Sequence, residues 1–163
     1  MKIIAVNRDE IGIIKNLWES LNAYHLAKST RFKNHFSEFT FEKRMDALNR
    51  RDRLIVYVAE DKNESIGYCM ASVDGLAGEI DSLFIKMELR NQGLGEELMI
   101  LALRWLEKQN CKTIRVSIAE GNESALDFYR RFGFTERFVV MQRTHNQKTH
   151  PIGTKRSWGI SDS

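Results

Sequence analysis

Apolar residues recur along this chain with two periods. "KIIAV" is a short β-branched run halted by Asn7, Arg8, Asp9 and Glu10, and it predicts a first strand. Ile11, Ile14, Trp18 and Leu21 then repeat at helical spacing. Asp9 is placed to cap that helix, which is expected to end near Ala27. "KSTRFKNHFSEF" has no clean period and reads as a loop or a pair of short turns. Thr40 can cap a second short helix carrying Phe41, Met45 and Leu48 on one side.

"RLIVYVAE" and "SIGYCMASV" flank the polar turn "DKNE", which is a hairpin pattern. "EIDSLFI" follows as another strand. Strict alternation would set Glu79, Asp81, Leu83 and Ile85 on one face, and Ile80, Ser82 and Phe84 on the other. A long helix from Leu94 shows Leu94, Leu98, Leu101 and Trp105 on one stripe. "KTIRVSIA" predicts a strand, "EGNESALDFYRRFGF" a capped helix stopping at Gly133, and "RFVVMQR" a final strand. The expected fold is therefore α/β: a single mixed, mostly antiparallel sheet flanked by helices. Residues 1–144 form one domain, and 145–163 a polar tail whose composition is compatible with partial disorder.

Composition narrows the function classes. The 163 residues are 42% hydrophobic and 29% charged, with one proline. A net charge of +3 is spread along the chain, so solvated surface explains it better than a nucleic-acid footprint, and no nucleic-acid partner is expected. Cys69 and Cys111 lie far apart in apolar contexts, which fits small buried residues in a reducing compartment. No Cys/His spacing suits a metal, and none is expected. The opening apolar run is too short for a signal peptide, and no run reaches membrane-spanning length. A soluble, cytoplasmic protein with no membrane partner is the expectation.

The chemistry concentrates in "ELRNQGLGEEL". Gly93 and Gly95 stand where a strand gives way to a helix, allowing positive φ and close ligand approach. Free N–H groups of the first helical turn then make an anion site. A Walker A loop is excluded, because no Gly-Lys-Ser/Thr follows. A dinucleotide fingerprint fails at its third glycine, where Leu98 stands. Glu96 and Glu97 complement the helix dipole, and their side chains are expected to point away from a bound phosphate.

Arg90-Asn91-Gln92-Gly93-Leu94-Gly95 resembles the R/Q-x-x-G-x-G/A loop of the GNAT superfamily, the acetyl-CoA-dependent N-acetyltransferases. "EIDSLFI" lies at that family's distance before the loop, "GNESALDFYRRFGF" is similar to its second signature, and the element order agrees. The resemblance covers residues 54–142 well and the amino-terminal part by architecture alone. It implies the acetyltransferase fold, with acetyl-CoA as cosubstrate and its pyrophosphate on the amides of residues 91–96. It also implies that the backbone of Leu83, Phe84 and Ile85 pairs with the pantetheine arm and polarises the thioester carbonyl. Asn122 would bond the pantetheine while serving the start of its helix, and Tyr129 would protonate the departing thiolate. Glu79 or Asp81 would be the base, directly or through water, and the sequence leaves the choice between them open.

The resemblance also implies an acceptor that is a primary amine of a small molecule or protein. Asn22, Tyr24, His25 and Phe32 are candidate lining residues in the stretch that shapes this pocket in the family. A homodimer is an option by analogy with many relatives. The competing function is a non-catalytic acyl-CoA sensor of the same fold. It needs only the loop, so the presence of Tyr129, Glu79 and Asp81 weighs against it.

Overall fold

The structure is a computed structural model that describes residues 1–142; the polar tail expected at 145–163 lies outside the described residues. Five strands, β1 (Lys2–Val6), β2 (Arg53–Asp61), β3 (Glu64–Asp74), β4 (Ala77–Ile85) and β5 (Thr113–Val116), form one sheet in sequence order. The first four pair antiparallel and β5 joins β4 in parallel, so the sheet is mixed, as its patterning predicts. The β2–β3 hairpin turns at Lys62 and Asn63, both at positive φ, a two-residue loop of the twist that hairpins favour.

Helices cover both faces. On one, α4 (Leu94–Lys108) buries Leu98, Met99, Ala102 and Leu106 against Cys69, Ala71 and Val73 of β3. On the other, α1 (Lys15–Lys28) and α3 (Phe41–Leu48) bury Leu17, Trp18, Phe41 and Leu48 against Val56, Val58, Tyr68 and Met70. Strand β3 is thus buried on both sides, and removing its large apolar groups from water is worth roughly 1.5–3 kcal/mol each.

Several expectations shift in detail. Asn7, not Asp9, caps the first helical stretch: its side chain accepts from Asp9 N and it forms a capping box with Glu10. Residues Arg8–Ile14 coil as a 3-10 helix before α1 begins. The stretch read as loop contains a short helix, α2 (Lys33–Glu38), held because Asn22 Nδ2 donates to Phe36 O and Phe39 O at 2.8 and 3.2 Å. Thr40 does cap α3, accepting from Lys43 N. The helix expected after Asn122 divides into a 3-10 turn, Glu123–Ala125, and α5 (Leu126–Arg130).

Two corrections matter more. Strict alternation fails in β4, because the register passes from Met70↔Ser82 to Ala71↔Ile80 and leaves Asp81 as the extra residue of a bulge. Ile80, Leu83 and Ile85 consequently pack on the α4 side while Phe84 packs on the α1/α3 side. The final strand is not formed in residues 137–142, where Phe138, Val139, Val140 and Met141 are exposed. A strand has no internal hydrogen bonds and needs a neighbouring ladder, and among the described residues this segment pairs with none.

Candidate active site

The ladder between β4 and β5 spans only Ala77–Ile80 against Thr113–Val116. Beyond it the two strands part, and Leu83, Phe84 and Ile85 present an edge to a cavity of about 620 Å³. Leu21 and Tyr24 of α1 close one side of this cleft. Arg90, Asn91, Gly93, Gly95 and Glu96 form its floor, and Asn122, Ser124, Ala125, Phe128, Tyr129 and Arg131 its far wall. Most of the predicted site residues therefore meet in one place.

The floor follows from its local chemistry. Gly93 is the N-cap of α4 at φ +84°, with no side-chain cap, and Glu97 N is the first amide to close the ladder, onto Gly93 O. The amides of Leu94, Gly95 and Glu96 are thus the unpaired donors every helix start carries. A Cβ built on Gly93 would have no neighbour within 4 Å, and one on Gly95 would sit 3.8 Å from Ile85 and Phe128. The space above both glycines is open to a ligand. Of the other loop residues, the Leu94 side chain is buried with the α4 core, and Gln92 is exposed and donates to Glu88 O.

Charges around the floor are arranged for an anion. The Arg90 guanidinium lies over Tyr24 at 5.3 Å and Phe84 at 5.6 Å, with Nε donating to Ile85 O at 3.0 Å. Contrary to expectation, Glu96 does not turn away from the cleft but lines it. Its carboxylate is ion-paired with Arg131, which also lies over Phe128. The sequence reasoning missed Arg131, although it stands inside "FYRRFGF"; only its pairing across to α4 marks it as part of the site.

Tyr129 reaches the cleft from α5, with its ring edge-on to Phe128 and Phe134. Burial, and secondarily Cys69, push its phenol pKa up, so the group is a proton donor at any physiological pH. Asn122 makes no cap bond, and its Oδ1 accepts only a long bond from Tyr24 Oη at 3.5 Å, so its amide remains available to the cleft. The turn before it is fastened by Glu120. That carboxylate accepts from Ser29 Oγ at 2.6 Å and Thr30 Oγ1 at 2.7 Å, bonds that draw its pKa down to about 2. The end of α1 is thereby tied to the turn that carries Asn122.

Glu79 and Asp81 do not line the cleft. Glu79 is held by Arg51 at 2.9 Å and Arg115 at 3.0 Å. The Asp81 side chain is fully buried, with Oδ1 on Arg44 at 3.1 Å and Oδ2 without a partner among the described residues. Desolvation dominates its titration and raises its pKa to about 6, against the opposing pull of Ser72 and Arg44. Of the two, Asp81 has the ionisation suited to a base near neutral pH.

Of the acceptor candidates, only Tyr24 faces the cleft. Asn22 is committed to the α2 backbone. His25 lies between Tyr24 and Phe36, and burial lowers its pKa. Phe32 precedes α2, its amide donating to Ser29 Oγ.

A mixed sheet that parts at its parallel step over a helix start defines an α/β protein with a ligand cleft between two strands. The chain belongs to the acetyltransferase (GNAT) family, which it matches over residues 17–134. It is 27% identical over 128 residues to an uncharacterized N-acetyltransferase of Archaeoglobus fulgidus, covering 74% of this chain and 81% of that one. It is 25% and 35% identical, over 100 and 85 residues, to two uncharacterized N-acetyltransferases of Methanocaldococcus jannaschii. Those matches take in 57% and 52% of this chain, which spans about half the length of these two relatives (44% and 54%).

The fold is shared with an aminoglycoside acetyltransferase from an uncultured soil metagenomic sample, solved in complex with sisomicin (TM-score 0.65, 18% identity, 88% of this chain and 95% of that one). It is shared also with an aminoglycoside N-acetyltransferase solved in complex with CoA (TM-score 0.62, 18% identity, 88% and 94%). Among the described residues no helix is long and apolar enough to cross a membrane.

Proposed function

We propose that the protein transfers the acetyl group of acetyl-CoA to a primary amine of a small molecule or protein. The observation that carries this reading is the parting of β4 from β5 directly above the uncapped start of α4, with Tyr129 and Asn122 in the gap. Acetyl-CoA would supply an activated thioester. The α4 amides and Arg90 suit its pyrophosphate, and the open edge at Leu83, Phe84 and Ile85 suits an extended amide-bearing arm. Arg131, paired with Glu96, cancels the negative charge that this carboxylate would otherwise present to the pyrophosphate. The family match supports this assignment, as does the CoA complex of a protein with the same fold.

In this reading Tyr129 gives its phenol proton to sulfur. Its raised pKa makes it a weak acid in isolation, but the same dry surroundings raise the proton affinity of a thiolate too. Asp81 receives the proton that the amine loses, because its carboxyl is ionised above about pH 6 and basic enough to take one. Glu79, clamped by two arginines, orders that corner of the sheet instead. The acceptor side is shaped by α1 through Leu21 and Tyr24.

The test is thiol release from acetyl-CoA with sisomicin, spermidine, L-lysine and a short peptide bearing a free α-amine. Turnover of at least one amine is expected. No thiol release with any of them, from a protein that binds acetyl-CoA, would return the sensor reading to first place.

A further inference from the structure

Asp81 is a base without direct access: its carboxyl is buried and no part of it forms the cleft wall. Among the described residues, five buried side-chain nitrogen or oxygen atoms lack a hydrogen-bond partner. Four of them, Tyr68 Oη, Ser72 Oγ, Asp81 Oδ2 and Ser82 Oγ, belong to neighbouring positions of β3 and β4. Buried polar atoms are almost always partnered, so three hydroxyls and a carboxylate oxygen without partners in one patch ask for a reason.

The bulge brings them together. It sets Asp81 and Ser82 consecutively at the point where β4 crosses Met70, one step from Ser72. Burial raises the pKa of both Asp81 and Tyr68, opposed by Ser72 at the first and Ser82 at the second, although neither contact reaches bonding geometry. Arg44 of α3 acts on both Asp81 and Tyr68. The patch lies directly behind the cleft wall: Tyr68 pairs across to Phe84, and Ser82 stands past the last β5 partner at Ile80 and precedes Leu83, so both hydroxyls adjoin cleft-lining residues without lining the cleft themselves.

We propose that Ser82 and Tyr68 relay the acceptor amine's proton from the cleft to the Asp81 carboxylate, with Ser72 and Arg44 positioning that carboxylate. The inference rests on the acetyl-transfer reading above. As the nitrogen–carbon bond forms and the carbon–sulfur bond breaks, the nitrogen's proton passes along the two hydroxyls, each taking one proton and giving one, to Asp81 Oδ2. Sulfur takes the proton of Tyr129. The proton on Asp81 then returns through the same hydroxyls to Tyr129. The sum is one amide and one thiol from one amine and one thioester, with every protein group restored. Catalytic hydrogen bonds that are long in a free enzyme tighten when the substrate is in place, which accounts for the unmade bonds here.

The groups that set the charge of Asp81 are Arg44 of α3, Arg51 after it, Ser72 and Cys69 of β3, and Glu79 of its own strand, itself paired with Arg115 of β5. The experiment leaves these intact and changes Tyr68→Phe, Ser82→Ala and Asp81→Asn. With coenzyme A and the amine bound, where the relay's hydrogen bonds are made, carbon-13 titration of the Asp81 carboxyl is expected to move upward in Ser82→Ala or Tyr68→Phe; a midpoint unmoved in both overturns the relay. On whichever amine the screen finds, kcat should fall roughly 10–100-fold in either hydroxyl variant, with KM for acetyl-CoA unchanged and the acid limb of the pH profile lost. Combining Asp81→Asn with Ser82→Ala should be no slower than Asp81→Asn alone, as for groups acting as a unit.

Should Tyr68→Phe fail to fold, Ser82→Ala, outside the fully buried core, decides by itself. Wild-type kcat in the hydroxyl variants beside a slow Asp81→Asn overturns the relay and leaves the base standing. A wild-type Asp81→Asn overturns both. Failure of acetyl-CoA to stabilise the unaltered protein would instead sink the acetyl-transfer reading itself.

Discussion

Gly95 separates binding from folding at a single atom. A Cβ there meets Ile85 and Phe128 at ordinary contact distance, so Gly95→Ala should fold, gaining up to about 1 kcal/mol of helix propensity. The same methyl would stand over the α4 amides, and acetyl-CoA affinity is expected to drop at least roughly tenfold by calorimetry. Unchanged affinity would make the glycine a turn residue and nothing more. Tyr129→Phe keeps the ring contacts with Phe128 and Phe134 and should cost only about 1 kcal/mol of stability. Turnover should fall by roughly 10²–10⁴, with acetyl-CoA binding retained, and a fully active variant would remove the phenol from the chemistry.

Asp81 carries a pH signature of defined sign. Its folded pKa, about 6, lies above that of an unfolded carboxylate. Its contribution is therefore fully present at pH below the ordinary carboxylate range and is lost as pH rises through about 6. Asp81→Asn removes that loss. Comparing urea unfolding of variant and wild type, the difference should move in the variant's favour by about 1–3 kcal/mol between pH 4 and pH 7. A difference that is flat over this interval would place the carboxyl in a more polar site than the fold indicates. At this scale the loop residues were readable, because a glycine's freedom and a helix start are local properties. The partners of Glu79, Asp81 and Glu96 were not: Arg44, Arg51, Arg115 and Arg131 come from elements remote in sequence.

Among elements, α1 and the turn before α5 move together or not at all. Glu120 fastens Ser29 and Thr30, and a Cβ at Gly121 would meet Lys28 O at 2.4 Å, so the two segments touch through backbone. Glu120→Ala should release the end of α1, raising hydrogen exchange at residues 29–32 and the KM of the amine acceptor, with acetyl-CoA binding little affected. The fastening holds above the ordinary carboxylate range and is lost only as pH falls toward about 2. Unaltered exchange in the variant would show that the backbone contact suffices. Helix α4 was legible from its helical period, although its buried face runs through Leu94, Leu98, Met99, Ala102 and Leu106 and leaves Leu101 and Trp105 only partly covered, and β3 from its apolar run. The β4 bulge was not, because a bulge is a mismatch between two strands and exists only in their pairing.

For the molecule as a whole, a ligand that binds only the folded state stabilises it by mass action. Acetyl-CoA at roughly a hundredfold over its dissociation constant should add about 2.7 kcal/mol, or roughly 5–10 °C in Tm for a domain of this size. NAD and ATP at the same concentration should do much less, and equal shifts from all three would dismiss the coenzyme assignment.

The amino-acid order alone determined what depends on near neighbours: the periods of the helices, the β2–β3 hairpin, the glycine loop and the "FYRRFGF" signature that together name the family. Tertiary structure alone decided where those pieces meet. It parted β5 from β4 after Ile80, neutralised Glu96 with Arg131, and turned Asp81 inward beneath α3. It also left 137–142 without the ladder its pattern anticipates. Periodicity reports which face of an element avoids water, whereas pairing, register and desolvation depend on chains far apart in sequence coming within a few ångströms, which no local pattern encodes.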